Sequence, residues 1–234
     1  MFKIITQTDD FVVVSKMSGV NFHDEGEHGS GLFSQVKQYL YEQCNTAELY
    51  PIHRLDKMTS GLLIFAKHSE SAKVFGELFQ RHKIEKYYLA LSDKKPSKKQ
   101  GLIKGDMGKS RRGMFKLMRT MNNPAITQFF SYSLSNKQRL YLLKPHSGKT
   151  HQLRVALSSI GSPIIGDPSY YTNDNSGAIA DRGYLHAYAL RFKFMNKQYE
   201  FILPPSEGDF YLTSAVTDKL TALKKPWQLN WPRL

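Results

Sequence analysis

The stretch from His53 to Gly61 (His-Arg-Leu-Asp-Lys-Met-Thr-Ser-Gly) holds a carboxylate, Asp56, in a polar segment directly before a strongly apolar run. At the mouth of a core strand, such a carboxylate would be partly desolvated and held by a rigid element. Desolvation removes the water that quenches a carboxylate nucleophile. Asp is also a common turn former, and Thr59 and Ser60 could satisfy nearby backbone groups. These residues alone therefore leave both a catalytic and a structural role open for Asp56.

The elements that must position this segment are indicated by the apolar pattern around it. Short β-branched and apolar runs predict buried strands at residues 11–14, 61–67 and 87–91. Apolar residues at helical spacing predict helices over residues 32–44 and 69–82, with Val74, Phe75, Leu78 and Phe79 on one face of the second. Ser69 or Ser71 is the expected N-cap of that second helix.

The second half of the chain continues the mixed pattern. Residues 125–134 and 139–144 predict paired strands, and residues 184–194 and 198–203 predict a hairpin. Residues 150–160 predict a helix that ends at Gly161, with Leu153, Ala156, Leu157 and Ile160 toward the core. Because strands and helices do not alternate regularly, we expect an α+β fold with a mixed, largely antiparallel central sheet flanked by helices and loops.

Residues 94–119 form a strongly basic stretch with ten Lys or Arg and one acid, Asp106, a net of +9 of the chain's +13. Four glycines, at positions 101, 105, 108 and 113, predict an exposed loop or an irregular hairpin. Such a run is either a solvated charged surface or a region that binds a polyanion. The chain's pI near 9.7 leaves nucleic acid, an acidic membrane surface and no specific partner open.

Bulk composition narrows the class of protein. The 234 residues are 41% hydrophobic and 23% charged, which is typical of a globular chain with a real core. The single cysteine, Cys44, excludes an internal disulfide and a multi-cysteine metal site. The N-terminus lacks a signal-peptide pattern, and no apolar run approaches the ~20 residues needed to span a bilayer. We therefore expect a cytoplasmic protein.

Several motifs resemble one family. Residues 53–67 look like the signature of the RluA-type RNA pseudouridine synthases, and Lys86-Tyr87-Tyr88-Leu89-Ala90 looks like that family's Lys-x-Tyr-x-Ala motif. Further matches, in chain order, are Lys16 and Gly19, the strand residues 125–129, the segment Gly148-Lys149-Thr150-His151-Gln152-Leu153-Arg154-Val155, Gly166-Asp167-Pro168 and Leu185-His186-Ala187. The resemblance covers residues 8–206 and implies a pseudouridine synthase fold and activity on ribosomal or transfer RNA.

The resemblance also implies roles for site residues. Asp56 would be the catalytic carboxylate that detaches uracil, acting at the sugar or at the base. Tyr88 would pack on the uracil ring, and Arg154 would pair with Asp56 from the edge of its helix. Arg54 would fill the space left by the extruded base.

Candidate RNA-binding residues accompany this catalytic set. They are His53, Arg54, Lys149 and, in the basic stretch, Lys98, Lys99, Arg111 and Arg112. His53, His151 and His186 are also interpreted as hydrogen-bonding residues that position their motifs. The histidines show no metal-ligand spacing and no Walker-type loop is present, so we expect neither a metal nor a cofactor.

Three positions depart from the family pattern: Met17 replaces a proline, Lys149 an arginine and Ala156 a histidine. Lys149 keeps the charge but loses the bidentate fork of arginine.

Two other functions stay open. One is a base-releasing glycosidase, which usually needs a second carboxylate, and the other is a non-catalytic RNA-binding module. We expect a single catalytic domain over residues 1–234, without a separate N-terminal RNA-binding domain, and a monomer. Within it, we expect residues 94–119 to be a basic loop insertion. Residues 210–234 are expected to form a C-terminal tail whose tryptophans dock on the domain.

Overall fold

The structure is a computed structural model that describes residues 1–45, 48–134, 137–172 and 180–234. The chain divides into two compact units. Unit 1 comprises Met1–Ile84 and Leu190–Leu203, and unit 2 comprises Glu85–Ala189 and Pro204–Leu234. None of the helices in the described ranges has the length and apolar character that a membrane span requires.

Unit 1 is built from antiparallel strands with two helices. Its elements are β1 (Phe2–Gln7), β2 (Phe11–Lys16), α1 (Leu32–Cys44), β3 (Tyr50–Pro51), β4 (Ser60–Ala66), α2 (Ser69–Gln80), the second half of β11 (Leu185–Phe194) and β12 (Lys197–Ile202). The strands run in the order β1-β2-β4, β3 pairs with β4, and β12 pairs with β11. The predicted boundaries of α1 are confirmed, as is the predicted hairpin of β11 and β12.

The core of unit 1 lies between its strands and α2. Phe11 and Val13 of β2, Ile64 of β4 and Phe75 of α2 are buried together, and the Phe11 and Phe75 rings meet edge to face at 5.5 Å. The predicted apolar face of α2 is therefore confirmed. The predicted N-cap is wrong. The N-cap is His68, whose ring accepts a hydrogen bond from the Ser71 amide, and Ser69 is already the first residue of the helix. The buried Ser71 hydroxyl donates to the carbonyls of Asp10 and His68 and so does not cap the helix.

Unit 2 contains a second set of antiparallel strands and two further helices. Its elements are β5 (Glu85–Ser92), β6 (Gln100–Gly105), β7 (Met107–Lys109), β8 (Phe115–Leu117), β9 (Ala125–Ser133), β10 (Arg139–Pro145), α3 (Gln152–Ser159), the first half of β11 and α4 (Ser214–Thr221). The strands run in the order β5-β10-β9-β6, with each adjacent pair antiparallel. The predicted α+β class with largely antiparallel strands is confirmed.

The basic stretch is more ordered than an exposed loop. Residues 100–105 form β6, whose Ile103 is buried, and they pair with β9. Residues 107–117 form a two-stranded hairpin, β7–β8, with Arg111 and Arg112 at its tip. The hairpin interpretation is therefore confirmed for part of the stretch, whereas the apolar Leu102 and Ile103 draw β6 into the sheet.

The C-terminal tail packs on one face of the strands of unit 2. The Trp231 ring lies 4.8 Å from the Phe130 ring and 5.8 Å from the Tyr87 ring, and its indole N–H donates to the carbonyl of Pro226. The expected docking of the tryptophans is confirmed. Successive strand residues point to opposite faces, so Tyr88 lies on the face opposite to the one on which Tyr87 meets Trp231.

Two glycines of unit 2 with nearly the same backbone angle provide a matched test of this packing. Gly161 (φ +71°) has open space where a Cβ would be, whereas a Cβ on Gly166 (φ +72°) would overlap the carbonyl of Arg182. We expect Gly161→Ala to lower the free energy of unfolding by about 1 kcal/mol through backbone strain alone. Gly166→Ala should cost at least about 3 kcal/mol, because overlap adds to strain. Urea denaturation measures both, and equal losses would contradict the packing described.

Candidate functional site

Asp56 lies in a tight turn at the start of β4. The Thr59 amide donates to the Asp56 carbonyl at 3.0 Å, which closes the turn. Leu55 and Met58 are buried and anchor the turn from both sides, while Asp56 itself is partly buried. The neighbouring Arg54 and Lys57 are exposed. The carboxylate is thus held on a rigid support next to two cations that solvent can reach.

A buried lysine, Lys16, fixes this turn from β2. Its ammonium donates to the carbonyls of Met17 (2.9 Å), Val20 (2.8 Å) and Lys57 (3.1 Å), and the residue is 1% exposed. Removing an ammonium from water is costly unless strong hydrogen bonds replace hydration. These three carbonyls supply that replacement, so the position of the residue that follows Asp56 depends on Lys16.

Two further bonds join the segments around Lys16. The Gly19 amide donates to the Lys57 carbonyl at 2.8 Å, and the Ser18 hydroxyl donates to the Met58 carbonyl at 2.8 Å. The segment from Lys16 to Gly19, which matches the family motif, thus has a structural role. Its hydrogen bonds hold the backbone of the two residues that follow Asp56 in place.

His53 has the structural role that the sequence predicted for it. Its Nε2 accepts a hydrogen bond from the Ile64 amide of β4 at 3.1 Å, and its ring packs on Phe79 at 5.2 Å. An accepting nitrogen requires the form protonated on Nδ1 alone. The predicted RNA-binding role of His53 stays a prediction.

In unit 2, Tyr88 and α3 share one face of the strands. Tyr88 of β5 lies opposite Leu143 of β10, which lies opposite Phe129 of β9. Thr127 alternates with Phe129 onto the same face, and its hydroxyl accepts from the Gln152 amide at 3.0 Å. The N-terminus of α3 is therefore on the face that carries Tyr88.

Arg154 is buried, although the sequence placed it at the edge of its helix. Its Nε and Nη2 donate to the two oxygens of Asp167 at 2.7 and 2.8 Å, and Nη2 also donates to the Ser169 hydroxyl at 3.1 Å. The side chains of Arg154 and Asp167 are 5% and 0% exposed. A bidentate carboxylate explains how the helix tolerates a buried guanidinium. The predicted pairing of Arg154 with Asp56 stays a prediction.

Gln152 organises the turn before α3. Its side-chain oxygen accepts from the Ser147 hydroxyl at 2.8 Å and the Lys149 amide at 3.0 Å, while its amide donates to the Ile126 carbonyl at 3.1 Å. The backbone of Lys149, a predicted RNA-binding residue, is therefore held in position.

The pKa of Asp106 is lowered, mainly by a hydrogen bond from Thr120. The positive charge of Lys149 contributes to the same lowering.

Lys86 is a site candidate that sequence reasoning passed over. It is two residues from Tyr88 and so shares its face of β5. Its ammonium lies 4.0 Å from the place that a Cβ on Gly148 would occupy. Burial lowers the pKa of Lys86 to about 8. Its place in the Lys-x-Tyr motif was the signal that could have found it.

The four predicted cations of the basic stretch fall into two groups. Arg111 and Arg112 are exposed at the tip of the β7–β8 hairpin. Lys98 and Lys99 are exposed just before β6, outside the hairpin, where the Lys99 carbonyl accepts from the Ser131 amide at 2.7 Å. Within the ranges that the structure describes, no group of three or more His, Cys, Asp or Glu could hold a metal ion.

Comparison with known proteins points to one family. Residues 10–159 match the family described as RNA pseudouridylate synthase. A Haemophilus influenzae protein described as an uncharacterized RNA pseudouridine synthase is 45% identical over 96% of this chain and 97% of its own length. A ribosomal large subunit pseudouridine synthase C from Rickettsia bellii is 34% identical over 79% of this chain, which spans 61% of that protein.

Solved structures agree on the fold. Human RNA pseudouridylate synthase domain containing 1 matches with a TM-score of 0.73 at 24% identity, over 96% of this chain and 95% of that one. Human RNA pseudouridylate synthase domain containing 4 matches with a TM-score of 0.69 at 23% identity, over 94% of this chain and 92% of that one.

The role of Lys16 can be tested against a second lysine of unit 1. Lys67 is partly exposed and donates to the carbonyl of Thr8 at 2.8 Å. We expect Lys16→Met to lower the free energy of unfolding by about 2–4 kcal/mol, because three part-buried carbonyls lose the ammonium that binds them, although the Lys57 carbonyl keeps the Gly19 amide. Lys67→Met should cost less than about 1 kcal/mol. Urea denaturation of both variants provides the comparison, and a Lys16 effect no larger than that of Lys67 would disprove the role.

Proposed function

The chain belongs to the RNA pseudouridylate synthase family, and from that premise we propose that Asp56 is the carboxylate with which it converts uridine to pseudouridine in RNA. The observation that carries the proposal is the rigid turn around Asp56. Lys16 donates to the Lys57 carbonyl, and the Thr59 amide closes the turn on Asp56 itself. A catalytic group must be held by such supports to be aimed reproducibly.

The reaction is an isomerisation, so its atoms balance without a further reactant. The bond between uracil N1 and the ribose carbon breaks, the freed uracil turns, and its carbon 5 joins the same ribose carbon. Carbon 5 loses a proton and N1 gains one. Asp56 acts as nucleophile or base in the detachment step.

Each remaining site residue has a proposed part that its surroundings support. Tyr88 offers an aromatic face on the strand surface shared with α3, suited to a flat uracil ring. Arg54 is exposed two residues before Asp56 and can take the place of an extruded base. Arg154, held by Asp167, supplies the fixed cation of the site.

The substrate class follows from chemistry and from relatives. A stacked uridine cannot reach a carboxylate in a turn, so the target is an extruded or loop base. The Rickettsia bellii relative is named for the large ribosomal subunit. We therefore propose ribosomal RNA as the first substrate to test and transfer RNA as the second.

Cations of the basic stretch are proposed to bind the phosphate backbone of this RNA. Arg111 and Arg112 project from a hairpin whose base is closed by Asp106, which accepts from the amides of Asn122 (3.0 Å) and Asn123 (2.8 Å). An ordered hairpin presents its charges to phosphates at a lower entropic cost than a free loop.

Asp56→Asn tests the central assignment. This change keeps the shape of the side chain and removes its charge. We expect pseudouridine formation on transcribed ribosomal RNA to fall about a thousandfold or more. Asp9→Asn, on an exposed turn of unit 1, makes the same charge change and should leave the rate unchanged. Nucleoside mass spectrometry measures the product. Free uracil in place of pseudouridine would indicate a glycosidase, and full activity of Asp56→Asn would exclude the assignment.

Neutralising the predicted phosphate-binding cations should weaken RNA binding in a salt-dependent way. We expect Arg111→Gln with Arg112→Gln, and separately Lys98→Gln with Lys99→Gln, to reduce the slope of log affinity against log salt by about 0.7–0.9 for each phosphate that is no longer neutralised. Lys37→Gln with Lys193→Gln removes the same charge from exposed positions of unit 1 and should change the slope less. Filter-binding titrations at several salt concentrations provide the slopes. If both test pairs behave like the control pair, the basic stretch does not bind phosphate.

A further inference from the structure

Tyr170 lies where three parts of unit 2 meet. Its hydroxyl accepts from the Phe115 amide of β8 at 2.7 Å and lies 3.1 Å from Nδ1 of His151, the residue before α3. Its ring faces the guanidinium of Arg154, with 5.2 Å from Arg154 Cζ to the ring centroid. One side chain therefore touches the basic hairpin, the start of α3 and the buried arginine.

The same carboxylate that pairs with Arg154 fixes the backbone of Tyr170. Asp167 Oδ1 accepts from the amides of Ser169 (2.8 Å) and Tyr170 (3.1 Å) as well as from Arg154 Nη2. The tyrosine and the arginine are thus oriented by one group. A shift of Tyr170 would change the surroundings of Arg154, since both share Asp167.

The hairpin joins this arrangement through Phe115. The Phe115 ring meets the His151 ring edge to face at 5.7 Å, and its amide donates to Tyr170. Only Gly113 and Met114 separate Phe115 from the exposed Arg112 at the tip. The tip of the hairpin is therefore connected to Tyr170 through a short strand and one hydrogen bond.

His151, directly before α3, has an unfavourable backbone conformation. Its φ of +56° is in the left-handed region, which is costly for a residue with a Cβ. Such a conformation persists only when its surroundings fix it, and here Tyr170 and Phe115 contact the ring. The first turn of α3, which carries Arg154, begins at the next residue.

We propose that Tyr170 is a positioning residue that couples RNA binding at the hairpin tip to the orientation of Arg154. The proposal rests on the proposed function, in which the tip meets phosphate and Arg154 serves the reaction. RNA bound at Arg111 and Arg112 settles β8 against Tyr170 and His151, and the ring of Tyr170 then holds the guanidinium in place.

Two substitutions separate the two halves of this role. Tyr170→Phe keeps the ring over Arg154 and removes the hydroxyl that binds Phe115 and His151. We expect RNA affinity to fall about tenfold and kcat to fall about threefold, because the ring stays over Arg154 but loses its link to the hairpin. Tyr170→Leu removes the ring as well, so kcat should fall by a further tenfold or more. Equal kcat for the two variants would overturn the ring's role.

A double-mutant cycle tests the link to the hairpin. If Tyr170 acts through the tip, Tyr170→Phe should weaken RNA binding less than about twofold when Arg111→Gln and Arg112→Gln are already present. The full tenfold effect in that background would overturn the coupling. Tyr211→Phe is the control, because it removes a buried hydroxyl of unit 2 that donates to the Leu89 carbonyl. It should lower thermal stability and leave affinity and kcat unchanged.

The measurements distinguish this inference from the proposed function. If the wild-type protein forms pseudouridine and Tyr170→Phe binds RNA as the wild type does, only the inference fails. If the wild-type protein forms none, the proposed function fails, and the affinity cycle still decides whether Tyr170 acts through the hairpin.

Discussion

A buried charge needs a partner, and the pair of Arg154 and Asp167 organises unit 2 around that need. Asp167 accepts from Arg154 on both oxygens and from two backbone amides of the following turn. Breaking such a pair on one side would cost about 3–5 kcal/mol, since the other charge stays buried. The pair therefore fixes α3, the turn after Gly166 and Tyr170 together. The buried position of Arg154, which we propose as a cation of the site, is a consequence of this constraint.

Unit 1 also buries a cation, and there backbone carbonyls replace its hydration. Lys16 has a buried ammonium that donates to three carbonyls, one of them belonging to the residue after Asp56. In each unit a buried cation thus holds the loop on which a proposed functional residue stands. Burying such cations costs free energy, and here the buried cations hold in place loops that carry proposed functional residues.

The sequence predicted the elements better than the side-chain pairings. Helical periodicity indicated α1, and short runs rich in apolar residues indicated the paired strands β9 and β10, because burial leaves such patterns in the sequence. It placed Arg154 at the edge of its helix, whereas the side chain is buried against Asp167, because a charged residue in a helix is normally more exposed and this partner is 13 residues away. It also missed β6, since glycines and lysines masked the short apolar pair Leu102 and Ile103. Motif resemblance predicted Asp56 and Tyr88 as site residues. Lys16 and Lys86 also lie in matched motifs, but the interest of these two residues and of Tyr170 comes from their neighbours in three dimensions.

The most direct test is a comparison of ribosomal and transfer RNA from cells with and without this gene, by nucleoside mass spectrometry and carbodiimide mapping of pseudouridine. The account predicts that one or a few pseudouridines disappear with the gene and return with the wild-type protein but not with Asp56→Asn. An unchanged pseudouridine map, together with no activity of the purified protein on unmodified RNA, would contradict it and favour an RNA-binding protein without catalysis.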